Sequence, residues 1–530
     1  MNDVKWCIPF ENALTEAGIR LHRHERPGFA SISYLSIASE HWGEMARHAR
    51  DHDLRWAGVW ADIENDEMRL YAMFVHPEGH LLCRTSLSGE KPVIPSHTSS
   101  YPVADRMERH VRDLWGIRFE QSEDERRWTR HQAWDEDEYP LTHEYDSIEK
   151  ETKKTRAPAD SAYPFSRIEG NSVYQIPVGP VHAGIIEPGH FRFHAVGETI
   201  LQLEERLGYV HKGIEKIAIG RDVDSLLRLA GRVSGDSTVS HAWAAAMAIE
   251  NALEMTLPDD IVKMRAILSE RERIANHLGD VGAICNDVGF AFMQMQFSRL
   301  REEWQRTNHQ QFGHRLLMDR VVPGGVCLDA TPNPDILMKE LEHIRSTVEE
   351  LSVIIEDSPS LSDRLVGTGI LKITDARELG VTGYVGKASG IDFDLRRQQP
   401  YPPYDAIEVP ARIDTEGDVA ARVRIRLGEI MDSLQLLERL YQALDVPSEW
   451  RIALPEISSE LSGIGYVESW RGEIITFVRL DQQGRVARFF PRDPSWFLWP
   501  ALERLIDGNI VPDFPVCNKS VNASYSGHDL

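Results

Sequence analysis

The sequence predicts an α+β chain in two unequal parts. A small α/β domain spans residues 1–142, and a large, mainly α-helical domain with a peripheral β-hairpin or sheet spans 163–530. Three observations predict this. Short runs of strand formers surround a helical pattern before residue 142, a charged stretch poor in apolar residues follows at 143–162, and long segments with apolar residues at helical spacing fill the rest.

Composition sets the outer bounds. A length of 530 residues suits two to four domains with ample buried core. With 42% apolar and 27% charged residues, the composition is that of an ordinary globular protein. The formal net charge of −24 argues against nucleic acid or an anionic bilayer as direct partner and suits docking of basic subunits. Cys7, Cys83, Cys285, Cys327 and Cys517 are scattered with no Cys-x-x-Cys pair. That fits a reducing compartment and excludes a self-contained thiolate cluster site of ordinary spacing. No signal-peptide pattern opens the chain, and no apolar run nears the ~20 residues of a transmembrane helix, so membrane association is expected through partners.

In chain order, Ser31–Ile37 and Met68–Val75 read as strands and Asp105–Leu114 as a helix. His41, His48 and His52 lie on a possible helix, but metal ligation needs a third shaped ligand, so they read as surface histidines. The run Glu149–Pro158 makes 143–162 a linker by composition. Beyond it, Gly179-Pro180 is turn chemistry, and Phe191, Phe193 and Ala195 alternate as a strand face. Apolar spacing predicts a helix over Glu198–Ile219 and three long ones over Thr238–Met255, Pro258–Ile284 and Phe290–Phe312. Further helices are expected over Asn333–Ile355, capped by Asn333 with Pro334 first in the helix, and over Asp418–Leu444. Gly367-Thr368-Gly369 lacks the third glycine and setting of a nucleotide fingerprint, which disfavours direct NADH binding.

The chain is organised around Arg232-Val233-Ser234-Gly235-Asp236-Ser237-Thr238-Val239-Ser240-His241. This run resembles the Arg-x-Cys-Gly-x-Cys motif, with its later His, of the large subunit of group 4 nickel–iron hydrogenases and of the related 49-kDa-type subunit of respiratory complex I. Ser234 and Ser237 stand at the first thiolate pair, and Ser524 and Gly527 at the second, so all four nickel ligands are absent. Serine hydroxyls stay neutral near pH 7 and do not hold soft redox metals as thiolates do. Asp236 is a hard oxygen donor standing alone, which leaves a metal-free site as the preferred reading.

Other motifs extend the resemblance over nearly the whole chain. Glu108-Arg109-His110-Val111-Arg112-Asp113-Leu114-Trp115-Gly116-Ile117, Arg126-Arg127-Trp128 and Tyr139-Pro140-Leu141 resemble the 30-kDa-type subunit of complex I, which would make this chain a 30-kDa/49-kDa fusion. His211-Lys212-Gly213-Ile214-Glu215-Lys216 and Glu270–His277 resemble segments that face the terminal 4Fe–4S cluster of a neighbouring small subunit, which implies that role for His211, Lys212, Arg273 and His277. Gly383–Ile391 with Arg396 resembles a cavity-lining loop, and Trp470-Arg471-Gly472-Glu473 the families' Arg-Gly-Glu; Arg396 reads equally as a structural ion pair.

Ile186 stands where complex I carries a quinone-binding His, and Glu187 where the hydrogenases carry a proton-relaying Glu. Asp236 and Ser237 stand at the Asp and Tyr beside the quinone head group, so a quinone site is an open reading. Polar cavity roles therefore fall to Glu187, Asp236 and His241.

The resemblance implies a peripheral subunit on the cytoplasmic face of the cell membrane. Its expected partners are a small iron–sulfur subunit, a ferredoxin-like subunit and membrane-arm antiporter-like subunits. The chain itself is expected to bind no cofactor, with the 4Fe–4S cluster in its partner. A non-catalytic coupling role is the alternative.

Overall fold

The computed structural model describes residues 5–29, 32–89, 91–131, 138–142, 163–182, 186–445, 447 and 449–530. Five strands near the N-terminus, β1 (Leu21–His24), β2 (Ile32–Ile37), β3 (Arg55–Glu64), β4 (Glu67–His76) and β5 (Gly79–Leu87), form a sheet of order β1-β2-β5-β4-β3. Only the β2–β5 pairing is parallel. Both faces of this sheet are covered, which is why Leu70–Val75 is an unbroken apolar run rather than an alternating one. Helices α1 (Ile8–Glu16), α2 (Trp42–Asp51) and α3 (Ala104–Trp115) accompany it, and β6 (Val93–Pro95) pairs with β7 (Arg118–Glu120). The strands and helix expected here are present; Ser31 and the expected linker 143–162 lie outside the described residues.

A second antiparallel sheet joins β8 (Tyr174–Val178), β9 (His190–Val196) and β10 (Thr199–Arg206). The expected strand face is real: Phe191, Phe193 and Ala195 are all buried. The helix expected over Glu198–Ile219 is not there. Strand β10 occupies its first half, followed by a turn and the short helix α4 (Ile214–Ala218). The cause is a bulge at Leu201, where the register with β9 shifts between Ile200 and Gln202. It leaves Leu201 exposed while Ile200, Leu203 and Leu207 are buried, a spacing that imitates a helix.

Helix α5 (Val223–Ala230) leads to the long helices α6 (Thr238–Ala252), α7 (Asp259–Asp287) and α8 (Ala291–Phe312), each within a few residues of its expected bounds. The hairpin β11 (Val321–Val322) and β12 (Gly325–Val326) precedes α9 (Pro334–Glu356), whose N-terminus is capped by the Asn333 side chain. Short helices α10 (Pro359–Leu365), α11 (Ile373–Glu378), α12 (Gly383–Ala388) and α13 (Leu395–Gln398) run to α14 (Val419–Gln442), capped by Asp418.

A third sheet, β13 (Leu461–Ser469), β14 (Gly472–Leu480) and β15 (Val486–Arg492), was not foreseen. It is central rather than peripheral. On one side the alanine-rich helix α6 lies against β13, where a Cβ on Gly463 or Gly465 would fall 2.1 and 2.0 Å from the carbonyls of Ala248 and Ala244. On the other side it meets the N-terminal sheet. Arg479 forks onto Asp62 at 2.7 and 2.8 Å, Trp60 stacks on Phe490, and Glu473 receives Arg55 at 2.8 Å and Arg492 at 2.6 Å. Helices α15 (Ser495–Leu505), α16 (Phe514–Val521) and α17 (Tyr525–Asp529) end the chain. Among the described residues no helix is long and apolar enough to cross a membrane.

Candidate functional site

The site forms where the turn before α6, the turn between β13 and β14, the start of α15 and helix α17 converge. The first of these is rigid because Glu272 on α7 caps α6, accepting from the backbone of Val239 at 2.7 Å and from the Ser240 hydroxyl at 2.7 Å. Burial pushes the Glu272 carboxyl up to about 7 against those hydrogen bonds.

Asp236 is gripped by Arg471, which reaches its two carboxylate oxygens at 2.7 and 2.6 Å. Its carbonyl accepts from Asn276 at 2.7 Å and Trp470 at 2.9 Å. The Asp236 side chain is 38% exposed whereas Arg471 is 2% exposed, so a buried cation presents a solvent-facing carboxylate. Burial would raise the Asp236 pKa, but the guanidinium outweighs it and holds the group below its usual value.

Ser234 and Ser524, at two of the missing thiolates, touch directly with their hydroxyl oxygens 2.8 Å apart. The Ser524 oxygen accepts from Gly527 N–H at 2.9 Å, capping α17, and the Ser234 hydroxyl donates to Asp236 at 2.7 Å. One donor order satisfies all three groups, Ser524 to Ser234 to Asp236. Ser237 is 1% exposed and takes a 3.3 Å contact from Arg471.

His241 is buried on α6 and shares a 2.8 Å hydrogen bond with Asp493, whose carboxylate also accepts from Ser495 N–H at 2.8 Å. A Cβ on Gly527 would fall 2.6 Å from the Asp493 carboxyl carbon. The carboxylate of Asp493 thus fills the volume a side chain at 527 would need. Three hydroxyls and a glycine are the available donors, and among the described residues no group of three His, Cys, Asp or Glu side chains is arranged to hold a metal. A nickel–iron centre does not fit these residues.

Glu187 lies at the exposed rim, accepting from Ser526 N–H at 3.0 Å. Partial covering raises its pKa against the pull of that N–H and of Lys212. The Lys212 ammonium donates to the Val233 and Ser526 carbonyls at 3.2 Å and to the Ser526 hydroxyl; burial lowers its pKa, with Glu187 opposing. The His211 ring bonds the Asp529 carbonyl at 2.6 Å.

The other expected site residues lie elsewhere. Arg273, His277 and Arg396 are 1%, 0% and 4% exposed. Arg396 spends its guanidinium on Asp394 and Glu270, the ion-pair side of its two readings, and His277 bonds Glu429 at 2.7 Å. Burial lowers the His277 pKa, opposed by Glu429. Sequence reasoning missed Arg471 as partner of Asp236, and missed Asp493 altogether. Asp493-Pro494-Ser495 ahead of an apolar run carries a helix-start signal, but nothing in it points to His241.

Comparison with known proteins places these features. Residues 35–151 match the family of the respiratory-chain NADH dehydrogenase 30 Kd subunit, 287–460 that of its 49 Kd subunit, and 212–279 the nickel-dependent hydrogenases. Formate hydrogenlyase subunit 5 of Escherichia coli (strain K12) is 30% identical over 491 residues, covering 89% of this chain and 85% of that protein. An NADH-quinone oxidoreductase subunit of Bacteroides thetaiotaomicron is 29% identical over 501 residues, covering 91% of each. A chain of the archaeal membrane-bound sulfane sulfur reductase shares the fold, with a TM-score of 0.63 at 22% identity over 68% of this chain and 99% of that one. The chain therefore belongs to the family of oxidoreductase-complex subunits in which 30-kDa-type and 49-kDa-type or hydrogenase-type segments are fused, the family of formate hydrogenlyase subunit 5.

Proposed function

We propose that this chain is a peripheral-arm subunit of a membrane-bound, complex I-like redox complex that works without nickel–iron chemistry. It sits on the cytoplasmic face of the membrane beside a small iron–sulfur subunit, a ferredoxin-like subunit and antiporter-like membrane subunits. Electrons reach its edge on the neighbour's 4Fe–4S cluster, and its own residues handle the accompanying protons. The observation that carries this reading is the replacement of all four ligand positions by a self-satisfied polar set, with Asp493 in the volume beside Gly527.

In this reading Arg471 keeps Asp236 ionised and facing outward, where it accepts a proton or orients a polar acceptor such as a quinone head group. Glu187, raised in pKa and beside Lys212, exchanges protons with solvent at the rim. His241, fixed by Asp493, positions the start of α6 from within.

The test uses the complex purified with its partners. Elemental analysis should find iron from the neighbouring cluster and no stoichiometric nickel, and quinone-dependent oxidation should fall in the double variant Glu187→Gln/Asp236→Asn. Nickel seated in this chain, or unchanged turnover in that variant, would sink the proposal. The direct Ser234–Ser524 contact favours a second reading, a coupling role with no acceptor of its own. It predicts a reducible cluster whose spectrum and potential ignore quinone analogues.

A further inference from the structure

Six buried side chains behind the site close into a ring of alternating charge. Arg396 meets Glu270 at 2.8 Å, Glu270 meets Arg273 at 3.2 Å, and Arg273 lies 3.6 Å from Glu429. Glu429 meets Lys387 at 2.8 Å, Lys387 meets Asp394 at 2.6 Å, and Asp394 returns to Arg396 at 2.7 Å. None of the six exceeds 5% exposure. Three carboxylates meet three cations, so the ring is neutral with every member charged, the condition under which buried ions are tolerated.

Glu468, at the end of β13, is a fourth buried acid outside this balance. One carboxyl oxygen accepts from Leu395 N–H at 3.0 Å, and the other is buried without a hydrogen-bond partner. Among the described residues it makes no ion pair. The charges facing it are accounted for on every side. Lys387, Asp394 and Arg396 belong to the ring; Arg273 donates to its backbone carbonyl at 2.9 Å; and the Tyr401 hydroxyl accepts its N–H at 3.0 Å. Glu473, opposite it across β13–β14, is held by Arg55 and Arg492.

Ionising Glu468 would therefore place an uncompensated charge in a region whose cations are already matched, a cost that protonation removes. Burial first, and Asp394 second, push its pKa up to about 7. Two other titratable groups attach to the ring, His277 on Glu429 and Tyr404, whose hydroxyl donates to Glu270 at 2.6 Å. The network touches the site at two points. Arg273 holds the carbonyls of Glu468 and Ser469, just before Arg471, and Trp470 packs edge-on to His277 at 5.9 Å while donating to the Asp236 carbonyl.

We infer that Glu468 is a reversible proton site of this subunit, linked through the neutral ring to His277 and the Asp236–Arg471 face, and loaded when negative charge arrives beside that face. The step is the formation of one O–H bond on the Glu468 carboxylate with a proton from water. The electron stays on the neighbouring subunit's iron–sulfur cluster, so nothing in this chain is oxidised or reduced. The loading half rests on the redox-subunit reading above; the proton site itself does not.

The test is infrared difference spectroscopy on the complex with its native partners, comparing wild type with Glu468→Gln. Gln has the shape and neutrality of the protonated acid, so the fold is retained; Glu468→Asp, which should shift the carboxyl band instead of removing it, serves if the Gln variant does not accumulate. In the wild type a protonated-carboxyl C=O absorption should disappear as pH rises through about 7 and should grow when the cluster is reduced at that pH. Glu272, which burial also brings to about 7, contributes a band to both proteins, so the readout is the wild-type spectrum minus that of Glu468→Gln, in which one carboxyl band showing both changes should remain. A difference spectrum with no titrating band overturns the assignment, and a Glu468 band that follows pH but ignores reduction overturns the loading step. A failure of the redox-subunit reading looks different, because no reducible cluster would accompany the chain; the loading step then falls, while the pH titration still decides whether Glu468 holds the proton.

Discussion

Replacing Gly527 by Ala tests whether a carboxylate now occupies the fourth ligand position. The new Cβ would fall 2.6 Å from both the carboxyl carbon and one oxygen of Asp493. That carboxylate cannot step aside freely, since His241 and Ser495 N–H each hold it at 2.8 Å. Overpacking in such a place costs about 1–3 kcal/mol. Asp493→Ala leaves the buried His241 ring N–H and Ser495 N–H without an acceptor, a loss of about 1–3 kcal/mol for each. In the double variant the clash has no object. Its total should then be smaller than the sum of the single costs by about 1–3 kcal/mol.

A chain of this size does not unfold in one step, so the measurement is hydrogen exchange of the amides in α15 and α17, read as local opening free energies in all four species. Additivity within about 0.5 kcal/mol would refute the reasoning. So would a Gly527→Ala variant that exchanges like wild type. The same geometry predicts that restoring cysteines at 234, 237, 524 and 527 does not create a nickel site while Asp493 remains.

Other perturbations probe other links. Glu108 in α3 accepts from the Ser96 hydroxyl at 2.5 Å and His97 N–H at 2.8 Å, and burial raises it from 4.5 to about 8. A raised acid favours folding below its unfolded pKa, and that contribution is lost as pH climbs through about 8. The local opening free energy of the α3 amides, read by hydrogen exchange, should therefore fall from about pH 5 to 9, and the slope should flatten in Glu108→Gln. Arg471→Gln removes the charge that holds Asp236 low, so burial takes over, its pKa rises, and the acidic limb of the pH–turnover profile should move to higher pH. Glu473→Ala leaves Arg55 and Arg492 without their shared carboxylate. A cost of about 3–5 kcal/mol should appear as faster amide exchange in β3 and β14.

What the sequence revealed and what it hid divide along the range of the interactions involved. Helices α6 to α9 were readable because apolar spacing and caps such as Asn333 are local signals. Strand β10 was misread because one bulged residue turned a period of two into an apparent helical spacing. The sheet β13–β15 escaped notice because it is covered on both sides, by α6 and by the N-terminal sheet, and so lacks alternation. At the site, the lost thiolates could be read position by position. Their replacements could not: Arg471 lies 235 residues from Asp236, and Asp493 lies 252 residues from His241. Arg396 takes the ion-pair side of the two readings its motif left open, its guanidinium consumed by Glu270 and Asp394 inside the protein.

The tight turn between Ser469 and Gly472 has two ends with different duties. Arg471, within it, reaches Asp236, while Glu473, just after it, clasps Arg55 of the N-terminal sheet. Two residues apart, they anchor the same short turn to the N-terminal sheet on one side and to the outward-facing carboxylate on the other, so the junction of the two units and the seat of Asp236 share one stretch of backbone.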